Sequence, residues 1–307
     1  MRHLVIGIDG GGTKTLGVLF DEQGQELMRA EFGFSNFSID EKVATDNIIK
    51  TIEALLVQRQ THDQVVVIMG ISGASKISNK EQLLSHIEGK YQVRAELYTD
   101  AMIALHSINR NESENVIMAI GGTGSAVMML ENETTHLIGG YGYLLGDEGS
   151  AYHMVIEAFK HITACFDSGE AFSPLSQALL NQMGVKDREA LISYVYKSRK
   201  TELALFAKTI SECALNSDQE AYELLKNEGK LLAKQVITAA KRFIHKANIR
   251  IALRGGFVLN APFVKEIFEE EVKRYIENCE MEDHPNDAVL GAYRLGIKKF
   301  SSEVTTW

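Results

Sequence analysis

The stretch LVIGIDGGGTKT, residues 4–15, decides the fold. It is a short apolar run, rich in β-branched side chains, that ends in three glycines, a pattern typical of a buried strand followed at once by a tight turn. A related stretch, NVIMAIGGTGSAV, occupies residues 115–127. It repeats the order of apolar strand, glycine turn with a hydroxyl residue, and second strand. The repeat predicts a duplicated unit, with one glycine turn in each half.

The pattern around the first turn predicts a mixed sheet with crossover helices. A polar, glycine-containing segment at residues 21–24 predicts a hairpin. Ser38 and Glu41 have the spacing of a capping box, which predicts the start of a helix. Beyond the opening strand, apolar periodicity predicts strands over residues 17–20, 26–30, 65–69 and 95–98, and helices over 40–59 and 79–88.

The second half contains a long helical insertion. Residues 148–247 are almost wholly helical in pattern, after which residues 249–253 return as a strand that stops at Gly255 and Gly256. Two further helices are predicted over 260–278 and 286–299. The polar run at residues 109–114 is the best domain boundary. The predicted domains are 1–114, joined by a C-terminal helix 286–300, and 115–285 with the insertion.

Composition excludes several classes of protein. The 307 residues are 45% apolar with a formal charge of −9, which is normal for a globular chain and argues against whole-chain disorder. No block of consecutive basic residues occurs, so neither a nucleic-acid nor a membrane partner is expected. Three scattered cysteines make no disulfide framework or zinc site. The short apolar run at the N-terminus does not fit a signal peptide, so we expect a cytoplasmic protein.

The glycine turns are candidate phosphate sites. Backbone amides of Gly10, Gly11 and Gly12 can present donors to an anion at close range. The spacing matches neither the Walker pattern nor the dinucleotide fingerprint, so a nucleotide fold of another kind is needed. We expect the two duplicated turns to face each other across a central cleft and to hold one triphosphate. The third turn, Gly255 and Gly256, would hold the adenosine.

Charged and hydroxyl residues complete the predicted phosphate site. Asp9, at the tip of the first strand, makes sense beside phosphate only if a cation intervenes, and Mg²⁺ bound through water fits a lone carboxylate. The alternative for Asp9 is a turn-capping carboxylate, and for Lys14 a solvated surface lysine. Donors to the β- and γ-phosphates are expected from both turns: Thr13, Lys14 and Thr15 in the first, and Gly122, Thr123, Gly124 and Ser125 in the second.

Two further carboxylates follow strands or glycines. Asp100 comes directly after a strand, where it can accept a proton from a sugar hydroxyl that attacks the γ-phosphoryl group. The alternative is that Asp100 caps the next helix. Residues 139–151 hold five glycines, and so much permissive backbone favours a functional loop. In this loop Asp147 is a candidate for binding sugar hydroxyls, and Glu148 a helix-start charge.

Taken together, these motifs resemble the BadF/BadG/BcrA/BcrD ATPase family, and within it the N-acetylglucosamine kinases. The resemblance is carried in order from residue 4 to about 295 by DGGGTKT at 9–15, TDA at 99–101, GGTGS at 121–125, GDEGSA at 146–151 and RGG at 254–256. It implies an α/β fold of duplicated actin-like, ribonuclease H-like domains. It also implies ATP-dependent phosphorylation of an amino sugar at its 6-hydroxyl.

The resemblance implies roles for individual residues. Asp100 matches the family's catalytic base, and Gly255 and Gly256 match the adenosine turn. Tyr141 stands where many relatives have Trp, and Phe37 follows the asparagine matched to the sugar site; both departures bear on sugar choice. The predicted sugar-binding set is Asn36, Ser72, Gly73, Asp100, Thr123, Tyr143 and Asp147.

Alternatives to a kinase for N-acetylglucosamine stay open at this point. N-acetylmuramic acid, glucosamine and glucose are other acceptors, and Lys76 near the predicted sugar site does not decide among them. An activator ATPase of the 2-hydroxyacyl-CoA dehydratase type would need closely placed cysteine ligands for an iron–sulfur cluster. A sugar-responsive regulator would not need both Asp9 and Asp100. A homodimer is the expected assembly.

Overall fold

The computed structural model describes residues 1–108, 115–244, 248–282 and 286–301. The chain divides into two compact units: unit 1, residues 1–110 with 284–307, and unit 2, residues 111–283. Each unit contains one five-stranded mixed sheet. The polar run at 109–114, which the sequence favours as a boundary, lies outside the described residues.

Unit 1 is built on the strand that carries the first glycine motif. Its sheet has the order β3-β2-β1-β4-β5, in which β1 pairs antiparallel with β2 and parallel with β4. The strands are β1 (His3–Gly10), β2 (Lys14–Phe20), β3 (Glu26–Gly33), β4 (Gln64–Ile71) and β5 (Arg94–Tyr98). The helices are α1 (Glu41–Leu56), α2 (Lys80–Tyr91), α3 (Asp100–Ile108) and α12 (Ala288–Ser301).

Both faces of this sheet are covered, which explains why its central strands are apolar without alternation. On one face Leu4, Ile6 and Ile8 pack against buried residues of α1 such as Ile48 and Ile52. On the other face Ile68 packs with Ile103 of α3 and Ala292 of α12. The last helix of the chain therefore completes the core that the first strand begins.

Unit 2 repeats this topology. Its sheet has the order β10-β9-β6-β7-β8, and the central strand again pairs antiparallel with the next strand and parallel with a later one. The strands are β6 (Asn115–Gly121), β7 (Ser125–Glu131), β8 (Thr134–Gly139), β9 (Ile249–Arg254) and β10 (Cys279–Met281). The matching strand orders confirm the predicted duplication and the α/β fold class.

The helical insertion of unit 2 is also confirmed. It runs from the end of the glycine-rich loop to the start of β9 and packs as one apolar cluster on the sheet. Its helices are α4 (Ala151–Ser168), α5 (Pro174–Met183), α6 (Arg188–Lys197), α7 (Lys200–Ala204), α8 (Ala207–Leu215) and α9 (Gln219–Ala240). Residues 245–247, the end of the predicted helical region, lie outside the described residues. Two helices follow β9: α10 (Gly256–Asn260) and α11 (Val264–Tyr275).

Several local predictions were wrong. The capping box at Ser38 does not form; Asp40 is the N-cap of α1 and accepts a hydrogen bond from Val43 N at 3.0 Å. The edge strands β8 and β10 were not predicted, because half-exposed edge strands carry little apolar signal. The helix predicted over 260–278 is shorter, since α11 begins only at Val264, after Phe263 adopts a positive φ of 67°, and the short helix α10 before it was not predicted.

None of the helices in the described part of the chain combines the length and apolar character needed to cross a bilayer.

Candidate active site

The first glycine turn of unit 1 leaves its backbone open. Gly11 N donates to Lys14 O at 3.0 Å and closes the turn between β1 and β2. A Cβ at Gly11 would meet no atom within 4 Å, whereas one at Gly10 would collide with Ser35 Oγ. Gly10 therefore packs inward. Gly11 and Gly12 border space that an anion can occupy, but the N–H of Gly11 is already bonded within the turn.

Asp9 lies at the end of β1, and its surroundings shift the pKa of its carboxyl group. Burial raises its pKa from 3.8 to about 6, helped by the charges of Asp100 and Asp287, while Lys14 opposes the rise. A carboxyl group with a raised pKa beside other carboxylates is typical of a functional site rather than of a turn cap. The negative charges of Asp100 and Asp287 would also favour a cation near Asp9.

Asp100 begins α3 but does not cap it. Thr99 Oγ1 accepts the hydrogen bond from Met102 N at 3.2 Å, so Thr99 caps the helix instead. Ser72 Oγ donates to Asp100 Oδ2. Asp100 Oδ1 accepts from Ala101 N at 2.9 Å. The alternative interpretation of Asp100 as a helix cap is wrong, and its carboxylate is oriented by a hydroxyl from the end of β4.

A loop links Asn36 to both neighbouring strand ends. Ser35 N donates to Gly11 O at 3.0 Å, Phe37 N to Ser72 O at 3.1 Å, and Ser72 N to Gly10 O at 2.8 Å. Gly73 is in contact with Asn36 and Ser38, because a Cβ there would lie 3.2 Å from Asn36 Oδ1. Structure in unit 1 therefore brings together the predicted residues Asp9, Gly10, Gly11, Gly12, Asn36, Ser72, Gly73 and Asp100.

Two predicted phosphate donors in unit 1 have other partners. Thr15 is fully buried, and its hydroxyl donates to Gly33 O at 2.6 Å. Lys14 Nζ pairs with Glu31 Oε2 at 2.8 Å on an exposed strand pair. Thr15 is in the strand rather than in the turn, so the prediction that its hydroxyl contacts phosphate is wrong in this geometry. Thr13 is exposed at the turn and stays a candidate.

The second glycine turn, in unit 2, has a similar form. Gly122 N donates to Gly124 O at 2.9 Å, and a Cβ at Gly122 would meet nothing closer than 4.0 Å. Thr123 is exposed at the tip. Ser125 is buried, and its hydroxyl donates to Glu148 O at 2.7 Å. Gly122 and Thr123 therefore lie on the open side of the turn, and Gly124 lies against Lys200 and Asp147. The Ser125 hydroxyl is bonded within the fold, contrary to its predicted role.

Asp147 lies under this turn instead of facing solvent. Its side chain is only 4% exposed, and its backbone adopts a positive φ of 71°. Asp147 Oδ2 pairs with Lys200 Nζ at 2.5 Å, and Oδ1 accepts from Ser125 N at 3.3 Å. Both carboxylate oxygens are engaged by the chain itself, so a sugar would have to displace these partners. Tyr143 is half exposed and packs edge-on against Tyr152 at 5.3 Å.

The third glycine turn meets the second at a pocket in unit 2. Gly255 has a φ of 100°, and a Cβ there would lie 2.5 Å from Gly121 O, so only glycine fits. A pocket of about 420 Å³ lies beside this contact. It is lined by Gly122, Thr123, Ala151, Thr201, Ala204, Leu205, Ala207, Lys208, Ser211, Gly256, Phe257, Asn260 and Ala261. The predicted phosphate and adenosine turns of unit 2 therefore share one pocket.

Sequence reasoning missed three residues near these turns. Asp287 precedes α12, influences Asp9, and its Oδ2 accepts from Arg29 Nη2 at 3.2 Å. Lys200 reaches Asp147 from the helical insertion. Glu228 is fully buried in α9 and accepts from Gly149 N at 2.7 Å. Asp287 had a signal, a carboxylate at a helix start; the other two had none, because their partners are distant in sequence.

The described residues contain no group of three or more His, Cys, Asp or Glu side chains arranged to hold a metal ion. Asp9 as a ligand of magnesium through water stays a prediction.

Relatives of known activity align with nearly the whole chain. The N-acetylmuramic acid/N-acetylglucosamine kinase of Clostridium acetobutylicum is 27% identical over 298 residues, which cover 94% of this chain and 96% of the relative. The N-acetyl-D-glucosamine kinase of Dictyostelium discoideum is 25% identical over 315 residues, covering 96% and 98%. The glucosamine kinase of Vibrio cholerae is 24% identical, covering 95% of each.

Solved structures share the fold. A Chromobacterium violaceum protein, solved as a candidate N-acetylglucosamine kinase, has a TM-score of 0.66 at 24% identity and covers 95% of this chain and 98% of its own. The ROK hexokinase of Thermus thermophilus has a TM-score of 0.59 at 14% identity, with coverage of 95% and 98%. At these identities the likeness establishes the architecture of two mixed sheets with helices. The family model for the BadF/BadG/BcrA/BcrD ATPases matches residues 6–295, and the chain belongs to that family.

Proposed function

We propose that the protein is an ATP-dependent kinase that phosphorylates the 6-hydroxyl of an amino sugar, with N-acetylglucosamine as the preferred acceptor. One observation carries the proposal: Asp100, oriented by Ser72, lies at the strand ends of unit 1 with Asp9 nearby and the Asn36 loop attached. That is the arrangement needed by a general base for a hydroxyl nucleophile. The named activities of the three relatives support the same reaction.

Asp100 would act on the acceptor. Its carboxylate would take the proton from the sugar 6-hydroxyl as the oxygen attacks the γ-phosphorus, and ADP would leave. The Ser72 hydroxyl fixes the orientation of the carboxylate before the sugar arrives, which lowers the entropic cost of alignment. Phosphoryl transfer needs positioning and charge neutralisation more than covalent chemistry, so one base and a set of donors suffice.

The nucleotide would bind in the pocket of unit 2. The exposed Thr123 and the uncrowded Gly122 let phosphate oxygens approach the second turn, and Gly256 with Phe257 and Asn260 lines the same pocket for the adenosine. In unit 1 the peptide of Gly12 and the hydroxyl of Thr13 would be the corresponding phosphate donors.

Magnesium fits the residues present. Asp9 offers hard oxygen donors, and the neighbouring charges of Asp100 and Asp287 make a divalent cation favourable there. When bound, the ion would neutralise charge on the phosphoryl oxygens. We propose that Asp9 holds it through water.

The choice of sugar is the finer part of the proposal. Asn36 Oδ1 accepts from Ser38 N at 2.8 Å, which orients the carboxamide at the predicted sugar loop. Phe37 packs into the core of unit 1 and is therefore a structural residue rather than a sugar contact. Tyr141 is 73% exposed in the glycine-rich loop and is free to contact a ligand. N-acetylmuramic acid and glucosamine are the acceptors to be compared first, since relatives use them.

An ADP-release assay across N-acetylglucosamine, N-acetylmuramic acid, glucosamine and glucose tests the function. We expect the highest kcat/KM with N-acetylglucosamine. Asp100→Asn should fold and bind ATP but lose roughly 10²- to 10⁴-fold in sugar phosphorylation, the range for a general base. Asp46→Asn makes the same change at an exposed position of α1 and serves as the matched control. Near-normal turnover by Asp100→Asn would reject Asp100 as the base.

The homodimer and the cytoplasmic location stay predictions. Light scattering tests the first, because a dimer has twice the 34.1 kDa mass of one chain.

A further inference from the structure

Lys200 occupies an unusual position at the second glycine turn. It comes from α7 in the helical insertion, 53 residues after Asp147, and its ammonium is paired with that buried carboxylate at 2.5 Å. A Cβ at Gly124 would lie 2.6 Å from Lys200 Nζ, so the ammonium is in contact with the turn itself. The Lys200 ammonium can therefore occupy this place only because residue 124 is glycine and has no side chain.

The ammonium of Lys200 has a partner but keeps hydrogen-bond donors that Asp147 does not occupy. Its side chain is 27% exposed. An ammonium group has three donors, and Asp147 takes one of them. The ring centroids of Tyr143 and Tyr152 lie 5.9 and 5.8 Å from the nitrogen, close enough to stabilise the cation without forming hydrogen bonds. Donors are thus left for an anion.

The surroundings of Lys200 point to a phosphate ligand. The next residue, Thr201, lines the pocket shared by Gly122, Thr123 and Gly256. In unit 1, Lys14, the lysine that the sequence assigned to phosphate, is already paired with Glu31. Lysine binds phosphate as a point charge, and a cation beside a glycine turn that a ligand can approach strengthens an anion site.

We propose that Lys200 binds the β- and γ-phosphate oxygens of the nucleotide at the second glycine turn, and that Asp147 holds the ammonium in place before the nucleotide arrives. This inference rests on the proposed ATP-dependent function. It assigns Asp147 the role of a positioning residue toward the nucleotide. It also explains why a buried carboxylate adopts a strained positive φ at this turn, since the strain aims Asp147 at both Lys200 and Ser125 N.

The test measures binding of ATP, ADP and adenosine by calorimetry, without sugar. Lys200→Met should weaken ATP and ADP binding roughly 10- to 100-fold, the range for a hydrogen bond to a charged group, and should leave adenosine binding unchanged. Lys200→Arg, which keeps the charge, should retain most of the affinity. Lys197→Met removes the same charge from an exposed position of α6 and should bind all three ligands normally.

A double variant distinguishes a direct contact between Lys200 and phosphate from an indirect effect of leaving the Asp147 charge unbalanced. Met at 200 leaves Asp147 buried and unpaired, which could disturb the turn by itself. In Lys200→Met/Asp147→Asn that charge is removed, and we expect ATP binding to stay weak. Recovery of wild-type ATP affinity in the double variant would overturn the proposal, as would equal losses for ATP and adenosine.

Ligand binding by the wild-type protein distinguishes a failure of the proposed function from a failure of the Lys200 inference. If it binds none of the three ligands, the proposed function fails and the inference with it. If it binds ATP and Lys200→Met binds ATP equally well, the inference alone fails.

Discussion

At the scale of single residues, burial and neighbouring charges set the ionisation of the candidate site. Asp9 is a carboxyl whose pKa burial raises from 3.8 to about 6, with Asp100 and Asp287 adding to the rise. A raised carboxyl pKa means that the ionised form is disfavoured in the folded state. Stability from this group is therefore full below the unfolded pKa near 4 and is lost as the pH rises through about 6.

Asp9→Asn should therefore unfold less readily than the wild type at pH 7.5 in EDTA. The gain has an upper limit of about 3 kcal/mol, from 1.36 kcal/mol per unit of pKa shift, and it should disappear below about pH 4. Urea unfolding at pH 4 and 7.5 measures both values. A stability difference that does not change with pH would contradict the electrostatic explanation.

Thr13 and Thr15 form a matched pair for the first turn. Thr13 is exposed at the tip, whereas the Thr15 hydroxyl is buried and donates to Gly33 O. Thr13→Val should weaken ATP binding and leave stability unchanged. Thr15→Val should cost about 0.5 to 1.5 kcal/mol of stability, because the hydrogen bond from the Thr15 hydroxyl to Gly33 O is lost, and should leave ATP binding unchanged. Calorimetry and urea unfolding together check the pair, and the reverse pattern would restore the original prediction for Thr15.

At the scale of elements, α9 fixes the segment that supports the second turn. Glu228 accepts from Gly149 N at 2.7 Å, and Gln235, two helical turns later on the same face, donates to Glu148 O at 2.6 Å. The segment in turn donates from Ala151 N to Gly122 O at 3.0 Å. One helix face thereby sets the position of a phosphate-binding turn with which it shares no sequence proximity.

Glu228 also pairs with His153 Nδ1 at 2.8 Å, and this hydrogen bond raises the pKa of His153, with Glu157 and Glu148 contributing and burial opposing. The charged pair stabilises fully below the unfolded histidine pKa of about 6.5, and the effect is lost as the pH rises through the higher folded value. The wild type should therefore exceed Glu228→Gln in stability most at pH 6 and least at pH 9.

Thermal unfolding at the two pH values checks this expectation. Glu220→Gln is the matched control, since Glu220 pairs with the exposed His161 at the same 2.8 Å distance and should show a smaller effect. An equal stability difference at pH 6 and pH 9 would show that the charge of His153 plays no part.

At the scale of the whole molecule, the chain returns at its end to close the unit with which it begins. Val289 and Ala292 of α12 are buried in unit 1, and Gly291 lies against Ile103 O of α3. The core around β1 is therefore incomplete until the last described helix has been synthesised. Folding of unit 1 depends on contacts of very long sequence separation, which are slow to form.

Gly291→Ala should destabilise unit 1 by about 1 to 3 kcal/mol, because the added methyl group has no space against the backbone of α3. Gly89→Ala in α2 is the control, since nothing lies within 4 Å of its Cβ position, and it should gain about 0.5 to 1 kcal/mol from helix propensity. Denaturant unfolding gives both values. A neutral Gly291→Ala would show that α3 and α12 can move apart at little cost.

The fold class was predictable because its signals are local. The runs at 4–15 and 115–127 each place an apolar strand beside a glycine turn, and the two sheets repeat one strand order. The edge strands β8 and β10 lacked such a signal, since partly exposed edges do not need a continuous apolar run. The capping of α1 was misread because Ser38 and Asp40 are both good N-caps, and only the backbone path selects Asp40.

The sequence by itself determined the order of strands and glycine turns, the duplication, and the positions of Asp9 and Asp100 at strand ends. Tertiary structure decided which side chains are committed elsewhere: the hydroxyls of Thr15 and Ser125 are bonded within the fold. It also decided that Lys200 meets Asp147. The physical reason is that backbone turns are specified by neighbouring residues, whereas a buried polar group takes whichever partner the packing of distant elements brings within hydrogen-bond distance.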